Sequence, residues 1–301
     1  MTEEDMYKEV DRNKRNTIFL ISFFVIFVIG LGWALSHIFN NQLILIIAVI
    51  IAVTQSWISY YYSDKIVLSM SHAQGPIKKK DSPELYRLVE NLCITAGLPM
   101  PKIYIINDPS PNAFATGRNP DHAVVCFTTG ILSKLEKVEL EGVVAHELSH
   151  IGNYDILLQT VIVTLVGVIV LISDFSLRTM FFRRRSDGEG GGILLILGLL
   201  LLILSPIFAT LIQLAVSRKR EYLADASGAL LTRYPDGLAR ALEKISSDRE
   251  PTREANRATA HLFIVNPLKK KGSGGSLFSN LFSTHPPIKD RVKKLQEMVV
   301  E

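Results

Sequence analysis

Four stretches of this chain are apolar enough and long enough to cross a lipid bilayer, and they decide which folds are open to it. Residues 17–39 and 42–62 are nearly free of charge, and residues 156–173 and 193–216 are entirely free of it. A helix needs about 20 residues to span a hydrocarbon core about 30 Å thick, and each stretch has that length. With 48% hydrophobic residues, the chain is neither a freely soluble enzyme nor disordered. Two cysteines, Cys93 and Cys126, with no Cys-x-x-Cys pair, exclude a disulfide-stapled scaffold. Both read as small buried hydrophobes.

The basic residues report orientation. Lys8, Arg12, Lys14 and Arg15 precede the first stretch, Lys65, Lys78, Lys79 and Lys80 follow the second, and Arg218, Lys219 and Arg220 follow the fourth. The connection at Asn40-Asn41 has none, so the positive-inside rule puts both termini and the intervening soluble segments in the cytoplasm. Arg178, Arg183, Arg184 and Arg185 run against that bias. The second pair therefore reads either as a full crossing overruled by the other charges or as a shallow hairpin. Because the cations cluster at the edges of apolar stretches, they do not form a nucleic-acid footprint. The first stretch is too long for a signal-peptide core and lacks a small-x-small cleavage site, so it reads as a retained anchor.

The soluble segments are α+β, mainly α. Ser82-Pro83-Glu84 is a helix start, and Leu85, Leu88, Val89, Leu92 and Ala96 recur at helical spacing until Gly97 and Pro99 stop it. Strands are expected at 103–106, 112–116 and 123–128, and helices at 133–153, 220–231, 238–246 and 286–300. The division that follows is a cytoplasmic N-terminus (1–16), an N-terminal transmembrane hairpin (17–62), a first soluble segment (63–154), a second hydrophobic hairpin (155–216) and a second soluble segment (217–301).

The chemistry sits in His146-Glu147-Leu148-Ser149-His150. Histidines four apart lie on one helical face, so their imidazoles can converge on one zinc ion, while Glu147 is placed to take a proton from an activated water. With 7 His and 16 Glu in 301 residues, random placement gives about 0.01 such matches. A hydrolytic zinc site needs a third protein ligand and an open position. Asn153 and Ile156 occupy the places where a third-histidine pattern would put its glycine and histidine, so a glutamate is expected from among Glu189, Glu221, Glu243 and Glu250. Topology selects Glu221, because an out-and-back hairpin returns it to the histidines' side and strands Glu189 on the other. Asp225, four residues on, shares its helix face and is expected to accept the free ring N–H of a ligand histidine.

The two N-terminal spans, Asn112-Ala113-Phe114-Ala115, the H-E-x-x-H helix running into a span, Glu221-Tyr222-Leu223-Ala224-Asp225 and Thr284-His285-Pro286-Pro287 together resemble the HtpX family of membrane proteases. The resemblance covers nearly the whole chain. That family is related to the CAAX prenyl endopeptidases. The resemblance implies a zincin-like, glutamate-ligated cytoplasmic domain joined to four transmembrane helices, with one zinc per chain. It implies His146, His150 and Glu221 as zinc ligands, Glu147 as catalytic base, His285 as a donor to the tetrahedral oxyanion, and Asn112, Ala113, Phe114 and Ala115 as a strand along which substrate lies. The implied activity is endoproteolysis of misfolded or damaged membrane proteins at the cytoplasmic face of the cell membrane, with unfolded chains as substrates and the bilayer as partner. Two other readings share the zinc core: a dedicated processing or prenyl-type endopeptidase, and a zinc-binding scaffold without proteolysis. Four spans are few for a large intramembrane chamber, and an intact Glu147 has no use in a structural site.

Overall fold

The computed structural model describes residues 3–38, 40–165, 218–248, 250, 259–265 and 286–298. The later part of the third apolar stretch and all of the fourth lie outside the described residues. Helix α1 (Glu3–Ile38) folds back on α2 (Leu43–Tyr61) through a turn at Asn40-Asn41. The two meet closely at Gly32, where any added Cβ would run into that of Ala48. Small residues permit such contact where helix pairing has no hydrophobic drive of its own. Spans Val10–His37 and Leu43–Tyr61 are long and apolar enough to cross a membrane. Their outer faces expose Ile18, Phe19, Ile26, Trp33, Ile46, Ile47 and Ile50, a surface suited to lipid and costly in water.

A short helix the sequence pattern does not announce, α3 (Ser63–Met70), leads out of the hairpin, followed by α4 (Pro83–Ala96). Gly97 ends α4 at φ +65, in the left-handed conformation that a residue without Cβ adopts without strain. Strands β1 (Lys102–Ile106), β2 (Ala113–Gly117) and β3 (Ala123–Thr128) form one sheet in the order β1-β3-β2, β1 parallel and β2 antiparallel to β3. This leaves β2 on an edge.

One element differs from the sequence reading. The helix expected over 133–153 is two: α5 (Thr129–Lys134) and α6 (Lys137–Gly152), separated by Leu135 in extended conformation. The reason is capping. Thr128 accepts the Ile131 amide to begin α5, while Glu136 and Glu139 exchange side-chain and backbone bonds in a capping box that begins α6. Helix α7 (Asp155–Leu165) then opens the third apolar stretch. All eleven of its residues are buried within the protein. Leu157, Leu158, Val161, Ile162 and Leu165 pack against Leu20 and Phe24 of α1.

The chain re-enters the described structure at α8 (Arg218–Thr232), followed by α9 (Pro235–Ser247) and α10 (Ile288–Gln296). The main core joins α4, β3, α6, α9 and α10 through Leu88, Val125, Val144, Leu148, Leu242 and Leu295. Helix α6 lies at the centre of this packing. Its H-E-x-x-H face is thereby held between β2 on one side and α8 on the other.

Candidate metal centre

The centre is assembled where α6 and α8 touch. Gly228 sets their separation, since a Cβ there would lie 2.9 Å from the His146 amide nitrogen. It stands on the face of α8 that also carries Glu221 and Asp225, at the i, i+4, i+7 spacing of one helical stripe. Two turns of α8 therefore face one turn of α6. His146, His150 and Glu221 offer ligand atoms that all lie within 4.8 Å of one another. His146 Nε2 is 3.2 Å from His150 Nε2, and Glu221 reaches 4.0 Å from the first and 3.6 Å from the second.

Each imidazole is backed by a carboxylate on its far side. His146 Nδ1 lies 3.0 Å from Asp225 Oδ1, and His150 Nδ1 lies 2.9 Å from Asp155 Oδ2. With a proton on each Nδ1, both Nε2 atoms turn lone pairs toward each other and toward Glu221 in a buried space. Such an arrangement repels itself without a cation at its focus. The donor set therefore fits a divalent metal: two imidazole nitrogens and one carboxylate, spaced as ligands of an ion about 2 Å from each, with outer carboxylates fixing the tautomers.

Two cation-bearing residues complete the charge balance. Arg291 of α10 is wholly buried, donates from Nε and Nη2 to the two oxygens of Asp225 at 2.8 and 2.6 Å, and lies 3.4 Å from Glu221. Its Nη1 also donates to the Ile264 carbonyl. Arg220 Nη1 stands 3.7 Å from Asp155. The electrostatic result differs between ligands. Burial lowers the His146 pKa. Burial also acts to lower that of His150, but the hydrogen bond to Asp155 and the charges of Glu221, Asp155 and Glu147 outweigh it and raise the value to about 9. Burial acts to raise Asp225, yet Arg291 and His146 hold its carboxylate below the ordinary range.

Glu147 projects beside the ligands and is 2% exposed. Burial pushes its carboxyl up to about 7, with Glu221 adding to the rise and His150, Arg291 and a main-chain hydrogen bond from Ala115 opposing it. A carboxyl poised near neutrality can both accept and return a proton at physiological pH.

The Ala115 bond places β2 directly against the site. The outward main-chain groups of β2 are nonetheless largely engaged: Ala113 O accepts from Ile264 N at 3.0 Å, and Gly117 N lies 3.4 Å from Thr160 Oγ1. Asn112 holds the same neighbouring segment, donating to Val265 O at 2.8 Å, while Phe114 meets Phe263 edge-on with centroids 5.0 Å apart. His285 lies outside the described residues.

Asp155, Arg291, Gly228 and Asn13 did not emerge from motif spacing. Signals for two of them are present. Arg291 sits on the apolar stripe Ile288, Val292 and Leu295 of an otherwise Lys-rich helix, and Asp155 is the last charge before a long apolar stretch. A charge in either place needs a buried partner.

Comparison with known proteins agrees with this geometry. Residues 79–299 match the model of peptidase family M48. An HtpX protease homologue of Dictyoglomus thermophilum is 46% identical over 293 residues, covering 97% of this chain and 94% of the relative. One from Listeria monocytogenes is 45% identical over 308 residues, covering 97% and 100%. In fold, the chain is similar to the crystal structure of S. mikatae Ste24p, with a TM-score of 0.51 at 20% identity, over 96% of this chain and 67% of that one. A buried two-histidine, one-glutamate centre beside apolar helices thus has its family: the chain belongs to peptidase family M48, as a membrane metalloprotease of the HtpX type.

Proposed function

We propose that the chain is a zinc endopeptidase of the cell membrane that cleaves misfolded or damaged membrane proteins at the cytoplasmic face. The observation that carries this reading is the juxtaposition of a buried Glu147 with the His146, His150 and Glu221 donor set. Two nitrogens and a carboxylate with a general base beside them match the needs of a hydrolytic zinc ion better than those of a closed structural site. When bound, the ion activates a water and polarises the scissile carbonyl.

The chain's own residues do the rest. His146, His150 and Glu221 hold the ion, and Asp225 and Asp155 hold the imidazoles. Glu147 takes a proton from the attacking water, whose oxygen adds to the carbonyl carbon. It then returns the proton to the leaving nitrogen as the C–N bond breaks. His285, six residues before Arg291 in the sequence, is assigned the oxyanion. An extended substrate pairs with β2 through main-chain bonds, taking the place of Ile264 on Ala113 O. Recognition by main chain is tolerant of sequence, which suits a protease acting on damaged chains.

Placement at the cytoplasmic face is supported by the eleven Lys and Arg residues flanking the first, second and fourth apolar stretches. The third and fourth stretches form a second hairpin that returns Glu221 to the histidines. Soluble segments 63–154 and 217–301 then make one catalytic domain.

The test is Glu147→Gln in detergent micelles. It retains one zinc per chain and loses cleavage of an unfolded substrate by about 10²–10⁴-fold. Cleavage by that variant at the wild-type rate would overturn the reading.

A further inference from the structure

The metal centre does not end at the soluble domain. Asn13 belongs to α1, four residues before the first apolar stretch, and it is 1% exposed. Its Nδ2 donates to Asp155 Oδ1 at 2.7 Å and to the Asn153 carbonyl at 2.9 Å. The other oxygen of Asp155 faces His150 Nδ1 at 2.9 Å. One side-chain amide of the anchor helix thus stands two hydrogen bonds from a ligand nitrogen.

The surrounding contacts hold the amide in place. Thr17 Oγ1 donates to the Asn13 carbonyl, and Lys14 Nζ lies 4.3 Å from the centroid of the Tyr154 ring. One turn and two turns further along α1, Leu20 and Phe24 pack on α7. Residues 153–155 form the corner between α6 and α7, with Tyr154 at φ +59. Asn13 and Lys14 grip that corner from outside. Bonding both Asn153 and Asp155, Asn13 fixes the turn and the carboxylate together.

We propose that Asn13 is a positioning residue of the metal centre. By donating to Asp155 it holds the carboxylate that sets the tautomer and aim of His150, so the first membrane helix is a structural part of the site and not solely an anchor. Outer partners of a ligand histidine are worth about 10–100-fold in metal affinity, and a residue one bond further out acts through them. A neutral amide suits this place. It donates to the carboxylate oxygen that Arg220 Nη1 also approaches, at 3.7 Å, and adds no further cation beside it.

The inference rests on zinc binding by His146, His150 and Glu221, and the experiment separates the two. Zinc dissociation constants are measured by chelator competition on full-length protein in micelles for wild type, Asn13→Leu, Asp155→Asn and the double variant. Thermal unfolding of each metal-free form checks the fold. Wild type without zinc would end the metal reading itself. Given wild-type zinc binding, Asp155→Asn weakens it about 10–100-fold and Asn13→Leu about tenfold. The diagnostic result is in the double variant: with Asp155 already changed, Asn13→Leu adds nothing further, because its effect travels through that carboxylate. A folded Asn13→Leu with wild-type affinity, or an effect undiminished in the Asp155→Asn background, would overturn the proposal. If the leucine variant does not fold, Asn13→Ala, which leaves only a small void, carries the same comparison.

Discussion

The imidazoles of His146 and His150, the candidate ligands, are one turn apart on the same helix and are held from opposite ends of the chain. His146 is backed by Asp225, which Arg291 of the C-terminal helix clamps through both oxygens. His150 is backed by Asp155, which receives an amide from Asn13 of the N-terminal helix. One support is a guanidinium bonded to both carboxylate oxygens in the core, and the other is a neutral amide at the start of the anchor helix, with the Arg220 guanidinium 3.7 Å from the same carboxylate. The difference teaches that this centre closes two loops of chain at once. The Arg291 side fixes Asp225 and Glu221 relative to the core, and the Asn13 side fixes α6 relative to the membrane helices.

The Arg291 side should be the costlier to break. Arg291→Leu leaves Asp225 and Glu221 buried without their shared cation, and removing one partner of a buried pair costs about 3–5 kcal/mol. The expected outcome is loss of zinc binding and a large fall in apparent melting temperature, read by thermal unfolding in micelles. An unchanged midpoint would show that the clamp is not structural. The packing between the two sides comes next. Gly228→Ala forces α8 away from the His146 backbone, at about 1–3 kcal/mol, and zinc affinity falls along with stability, as chelator competition and unfolding would both record.

Smaller effects sharpen the comparison on the substrate and membrane sides. Asn112→Ala removes the bond to Val265 and loosens the segment alongside β2, a loss of about 0.5–1.5 kcal/mol. Zinc affinity should stay at the wild-type value while KM for an unfolded substrate changes, which steady-state kinetics would detect. Lys14→Ala removes a contact with Tyr154 worth about 0.5–1 kcal/mol. It should weaken zinc binding less than Asn13→Leu, because it touches the corner and not the carboxylate.

Much of this was legible in the sequence because it is periodic or spaced. The membrane helices announce themselves by length, α4 by its apolar repeat and its glycine stop, and the ligand histidines by the four-residue interval. Glu221, expected as the third ligand, lies with them in the buried cluster. What escaped the reading depends on contacts between residues far apart in the sequence. The break between α5 and α6 is the exception, a local one, since its caps at Thr128 and Glu136 each join residues three apart within a run of continuous helical spacing. The bond from Asn13 to Asp155 spans 142 positions and that from Arg291 to Asp225 spans 66, and no local pattern encodes either. The burial of α7 is likewise invisible to hydropathy, which scores a lipid-facing helix and a protein-buried one alike.

The central claim is that one metal ion is held jointly by the two segments on either side of residues 166–217, through His146 and His150 on one and Glu221 on the other. Metal analysis of purified full-length protein, wild type against Glu221→Ala, tests it most directly. The account predicts one zinc per chain in the wild type, and in the variant a loss of tightly bound zinc with the metal-free fold intact by thermal unfolding. Stoichiometric zinc at wild-type affinity in Glu221→Ala would contradict it.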